Sequence, residues 1–209
     1  MGEQFAKREN RLARRISELR ASLRQREPYV LARNTGATLE SNQLDMQLWG
    51  TDVIISLPDF VAQNAQSGKM LDLLDQAIIA YYLITADGTQ PAGNWVSFTD
   101  LPAGRFYTQA FQGYTGRELV QVFGNQEEAF IQAALLSGGQ PYSFGEVAFR
   151  FQALPFVPLL VVCWLGDEEM APSYRFLFDA HVPHHLPTDG CAILGSRLTQ
   201  MLLRNKEEN

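Results

Sequence analysis

Cysteine is scarce in this chain, and histidine is nearly as scarce. Two cysteines in 209 residues, Cys163 and Cys191, cannot build a disulfide framework, and no CxxC pair is present. Such usage suits a reducing cytoplasm. Long apolar runs are missing too. The longest, Phe156 to Leu165, is interrupted by Pro158 and is far too short to span a bilayer. Basic residues near the start have no apolar segment behind them, so a signal peptide is not expected. The glycines form neither GxGxxG nor a Walker A loop, and no GxSxG, HExxH or EF-hand pattern occurs. The common nucleotide-dependent and hydrolytic chemistries are therefore disfavoured.

What is there is an acidic, apolar-rich chain with its charge unevenly spread. Hydrophobic residues make up 46%, enough for a sizeable core. The net charge is −6, yet residues 1–27 carry eight basic side chains against four acidic ones, leaving nine basic and nineteen acidic groups beyond them. A body of that sign repels phosphate backbones, so no nucleic acid is expected on the main domain. Residues 3–26 read as a basic amphipathic helix, with Phe5, Leu12, Ile16, Leu19 and Leu23 on one narrow stripe. That stripe must lie on the domain, pair with a protein partner or a second copy, or stay partly free. The expected organisation is this helix over 1–27 and a single domain over 28–209.

Pro28 opens a short helix that Asn34-Thr35-Gly36 ends. Alternation at Leu44, Met46 and Leu48, then Val53 to Leu57 after Gly50-Thr51, predicts a small antiparallel meander together with 37–40. A thickly apolar helix is expected over 69–85, ended by Asp87-Gly88, and a short extended piece at Trp95–Phe98. Thr115-x-x-Glu118 and Asn125-x-x-Glu128 fit the capping-box pattern, and Gly138-Gly139 closes the second of these helices. Strands follow at Val147–Phe151, Leu159–Trp164 (buried on both faces) and Tyr174–Ala180, then a helix over 188–204. Trp95, Phe98, Phe106, Tyr107 and Phe111 read as core aromatics. Strands and helices cluster instead of alternating, which predicts an α+β fold with a mainly antiparallel sheet and packed helices.

All three histidines, His181, His184 and His185, fall within five residues, beside Asp179 and downstream of Asp167-Glu168-Glu169. Imidazoles bind metals and move protons near neutral pH, and carboxylates orient them. Asp179 and His181, two apart, would project together from a strand end. Pro183 and Pro187 hold the rest in a loop. Asp167 and Glu169 could join only if the chain folds them back. Two imidazoles and a carboxylate would suit a transition metal such as zinc or non-haem iron; one imidazole could serve a tetrapyrrole axially. The plainer reading has Asp179 bonding to backbone N–H groups and Thr188 or Asp189 capping the last helix. Cys163 reads as an inert buried thiol. Cys191, in a first helical turn, could have a lowered pKa.

Gly166-Asp-Glu-Glu-Met-Ala-Pro172, Leu177-Phe-Asp179 and Leu186-Pro-Thr-Asp-Gly190, with Trp95–Phe98 through Leu101–Gly104, resemble a prokaryotic domain-of-unknown-function family from anaerobic bacteria and archaea. Its pattern has a Gly-Asp-x-Glu-Phe-Pro-Pro-like turn, a Leu-Phe-Asp strand end and a Leu-Pro-Thr-Glu-Asp helix start. The resemblance runs over about 28–204 and leaves the basic helix outside. It implies weight on Asp167, Glu169, Asp179 and Asp189, and less on the histidines. Some members carry a cysteine-rich iron–sulfur module, which this chain lacks, and Gly190 stands where the pattern is acidic. The expected function is an accessory or carrier domain holding a metal or metallocofactor at this corner. The alternative is a non-enzymatic interaction module docking or dimerising through its first helix.

Overall fold

The structure is a computed structural model that describes residues 2–207, with side chains from 9 to 206. Phe5, Lys7 and Arg8 of the basic stretch have side chains outside that range. Helix α1 (Gly2–Leu23) is followed by α2 (Pro28–Thr35), whose C-cap Gly36 adopts φ +68°. A left-handed cap of this kind suits glycine. Three residues of the α1 stripe pack against the body of the fold. Ile16, Leu19 and Leu23 are buried against α3 (Leu73–Thr85). Polar contacts lock the seam: Arg20 donates to the Phe60 carbonyl at 3.0 Å and to Gln76, and Arg15 to the Tyr81 hydroxyl at 3.3 Å.

The α+β class holds, and every strand pairing is antiparallel, but there are two sheets. Strands β1 (Thr38–Glu40), β2 (Gln43–Leu48), β3 (Thr51–Ser56) and β4 (Val61–Asn64) form the meander in that order. Alternation on β2 buries Leu44, Met46 and Leu48 as the pattern requires. The fourth strand was not expected. Pro58 ends β3, but Phe60, at φ +53° and 4% exposed, turns the chain back into another pairing. The second sheet runs β5 (Trp95–Ser97), β9 (Ser173–Asp179), β8 (Val157–Trp164), β7 (Val147–Leu154), β6 (Gln140–Pro141). β8 is central and buried on both faces. Leu159, Val161 and Cys163 enter the main core, while Leu160 and Val162 pack with Ala148 and Leu177 under Trp95 and Trp164.

Helices α4 (Gly104–Gly113), α5 (Gly116–Phe123), α6 (Glu127–Leu136) and α7 (Thr188–Glu207) complete the fold, with α3 and α7 packed together near its centre. Neither expected capping box forms. The Thr115 hydroxyl donates back to the Phe111 carbonyl at 2.6 Å. Asn125 instead bridges to Gly166, accepting its N–H at 2.7 Å and donating to its carbonyl. α4 had no clear sequence signal. It leaves Phe106 86% and Tyr107 56% exposed, correcting their reading as core, whereas Phe98 and Phe111 stack inside with centroids 4.0 Å apart. α3 begins four residues later than expected because Met70 bridges to Gln63 beside β4 and Asp72 caps the helix. Among the described residues, no helix is long and apolar enough to cross a membrane.

Candidate functional site

The histidine corner is built by two segments far apart in sequence. β9 ends at Asp179, and a 3₁₀ turn, Val182–His184, leads towards α7. Opposite lies residues 86–94, the connection from α3 to β5. The two are laced together almost entirely by the residues singled out in the sequence. Asp179 is 1% exposed, and its carboxylate accepts N–H groups from Ala92 at 2.9 Å, Gly93 at 2.7 Å and His181 at 2.9 Å. Three backbone donors satisfy both oxygens of this buried carboxylate. It touches the backbone of His181, not its ring, so the expected carboxylate–imidazole contact is absent there.

The partners of the three rings decide where each proton sits. His181 Nδ1 lies 2.9 Å from the Gln90 carbonyl, which only accepts, so Nδ1 carries the hydrogen. His184 Nδ1 lies 2.7 Å from Asp87 Oδ2 and donates to that carboxylate. The bond to His184 is the chief reason the Asp87 carboxyl is held well below the usual carboxylate range. In the neutral form of either ring, Nε2 is then the nitrogen with the lone pair. His185 is the reverse: Nε2 donates to the Thr89 carbonyl at 2.8 Å, and Nδ1 is buried with no partner among the described residues. Burial lowers its pKa, so it sits neutral between the rings of Tyr82 and Phe156. His185 is a wall of the core. His181 and His184 face outward, His184 with 46% of its side chain exposed, their ring centroids 5.6 Å apart.

The acidic turn does not join them. Asp167 accepts N–H groups from Glu169 and Met170, both at 2.8 Å, closing its own turn, and those bonds lower its pKa. It lies before β9 and Asp179 at that strand's far end, and seven extended residues span roughly 20 Å. The single shared hollow expected from the sequence is therefore not formed: Asp179 and the histidines come together, Asp167 and Glu169 stay apart. Among the described residues, no group of three or more His, Cys, Asp or Glu side chains is placed to hold a metal ion. Thr188 donates its hydroxyl to the Pro102 carbonyl at 2.6 Å. Burial pushes the Cys191 thiol up, opposite to the expected lowering, and it pushes up Cys163 as well.

Sequence reasoning missed Asp87, Thr89 and Gln90, the partners of all three rings. Asp87-Gly88 carried a helix-stop signal and nothing more. Two clefts lie elsewhere. One of about 690 Å³ is lined by Gln43, Asp45, Gln47, Asp52 and Gln152; another of about 680 Å³ lies beside Arg117 and Arg175. No histidine lines either.

No curated protein and no solved structure matches this chain. One family model does, over residues 27–201, from the start of α2 into α7. It covers both sheets and both segments of the histidine corner and leaves α1 outside. By that match the chain belongs to the DUF3786 family, a domain of unknown function.

Proposed function

We propose that this is an accessory or carrier domain that binds a transition metal ion, free or within a cofactor, through Nε2 of His181 and His184. The observation that carries the reading is the pair of Nδ1 contacts, from His181 to the Gln90 carbonyl at 2.9 Å and from His184 to Asp87 at 2.7 Å. Both rings commit Nδ1–H to an oxygen acceptor, and metal-binding imidazoles characteristically use one nitrogen this way and ligate with the other. Nδ1 and Nε2 point in nearly opposite directions around the ring. Anchoring both rings to 87–90 therefore turns both lone pairs away from that segment. The 5.6 Å between centroids is close to the roughly 5 Å expected for two imidazoles on one tetrahedral ion at about 2 Å per zinc–nitrogen bond. Neutral imidazoles suit zinc, copper, nickel or iron over calcium or magnesium. In this reading Asp179 and His185 hold the frame and Asp87 orients a ligand. Two protein donors leave the remaining positions of the ion to ligands from outside this corner.

Titration calorimetry with Zn(II), and visible absorption with Co(II), test it. His181→Ala and His184→Ala should each abolish or strongly weaken uptake. A double variant that binds as well as the parent chain would discard the site.

A second reading, an interaction module, has one observation in its favour: Phe106 and Tyr107 are both exposed on α4. The α1 stripe is a poorer docking surface, because Ile16, Leu19 and Leu23 are already covered. A Phe106→Ser variant that leaves concentration-dependent self-association unchanged would remove that support.

A further inference from the structure

We propose that the metal site is completed by a second copy of this chain, one divalent ion taking Nε2 of His181 and His184 from each of two molecules. This rests on the reading of those two rings as metal ligands.

The argument is one of donors and charge. A zinc ion held structurally wants four ligands, and this corner supplies two. Among the described residues no third His, Cys, Asp or Glu side chain is grouped with these two. Asp179 is buried under three N–H groups, and His185 has one nitrogen on the Thr89 carbonyl and the other inside the core. Asp87 is tied to His184, and no larger cluster exists among the described residues. A two-fold axis through the ion doubles a pair of imidazoles into four and asks nothing further of the sequence. An isologous contact is self-complementary by construction, so the missing ligands are of the same kind as those present. The approach is open: Pro183 and His184 are exposed on a short 3₁₀ turn, not at the bottom of a cleft.

The charges also balance. Four neutral imidazoles leave the ion its charge of +2. Each His184 holds one Asp87 carboxylate 2.7 Å away, so two copies bring two negative charges in direct contact with the ligand set. Without the ion, two chains of net charge −6 repel each other. Association should therefore be switched by the metal.

Light scattering after size exclusion, on the full chain with ZnCl2 or with EDTA, tests this alongside zinc stoichiometry. The expected result is a monomer in EDTA and a doubled mass with zinc, at one ion per two chains, reversed by chelation. His181→Ala and His184→Ala should stay monomeric with zinc. Asp87→Asn, which keeps both ligands but loses the anchoring carboxylate, should dimerise at roughly 10–100-fold higher zinc concentration. Circular dichroism of each variant separates loss of fold from loss of site. One zinc per chain on a persistent monomer overturns the bridge while leaving the metal reading intact. A chain that retains no zinc sinks both. A dimer that survives EDTA, or forms with zinc when both imidazoles are gone, overturns the bridge.

Discussion

The Asp179 carboxylate accepts the Gly93 N–H at 2.7 Å, joining the end of β9 to a connection 86 residues earlier in the chain. With the Ala92 and His181 amides on the same carboxylate, Asp179 is the centre of the clasp that holds residues 86–94 and presents the two outward imidazoles. Asp179→Ala would leave three part-buried N–H groups, on Ala92, Gly93 and His181, without their acceptor. The expected loss is about 3 kcal/mol in urea unfolding, since an orphaned buried donor costs roughly 1–3 kcal/mol and relaxation lets water reach some of them. Hydrogen exchange should quicken first at Ala92 and Gly93.

Arg197 on α7 meets Asp75 of α3 at 2.6 Å and Asp72 at 3.0 Å. Burial pushes the Asp75 carboxyl up to about 6, with Arg197 opposing the shift. That value stands above the unfolded one of about 4. The folded chain thus holds a proton that the unfolded chain releases between those values, and this group's contribution to stability falls as pH rises through that window. Arg197→Met should cost about 3–5 kcal/mol at pH 8, where it strands a buried carboxylate, and less at pH 5, where Asp75 is protonated. Equal losses in thermal or urea melts at the two pH values would contradict this.

Leu23 is fully buried under α3, whereas Leu12 is half-exposed on the same stripe. Leu23→Ala should lower stability by about 3 kcal/mol and Leu12→Ala by less than about 1 kcal/mol. Comparable effects would mean that α1 does not dock as described.

Both thiols are buried, Cys163 in β8 and Cys191 in α7, and burial raises the pKa of each. The thiolate is the reactive form. Ellman's reagent should therefore label neither in the folded chain and both after denaturation. Rapid labelling of one thiol in the native state would show that its surroundings open.

Much of the fold was legible because the signals are local. Alternation placed Leu44, Met46 and Leu48 on one face, and Gly36 marked a helix end that needs φ +68°. Other signals were local but ambiguous. Thr115 is the N-cap of α5 and Asn125 falls one residue before that of α6, yet each bonds elsewhere, one to the preceding turn and one to the β8–β9 connection. The α4 helix hides its reason for being in a contact no pattern announces. A side chain at Gly104 would sit 1.9 Å from the Phe98 carbonyl, and one at Gly116 would sit 2.3 Å from that of Tyr174. Both glycines are there so that helix and neighbouring backbone can approach closely.

By itself the sequence determined the fold class, the positions of most helices and strands, and the fact that every imidazole lies within a few residues of Asp179. Those follow from composition, periodicity and turn residues, which act over a few positions of the chain. Only the tertiary structure decided that Asp87, Thr89 and Gln90 would meet the histidines from more than 90 residues away, and so which ring nitrogen bears the proton. It also decided that the acidic turn would stand off at the other end of β9. A hydrogen bond depends on where sheet pairing and core packing carry the backbone, and no spacing along the chain records that.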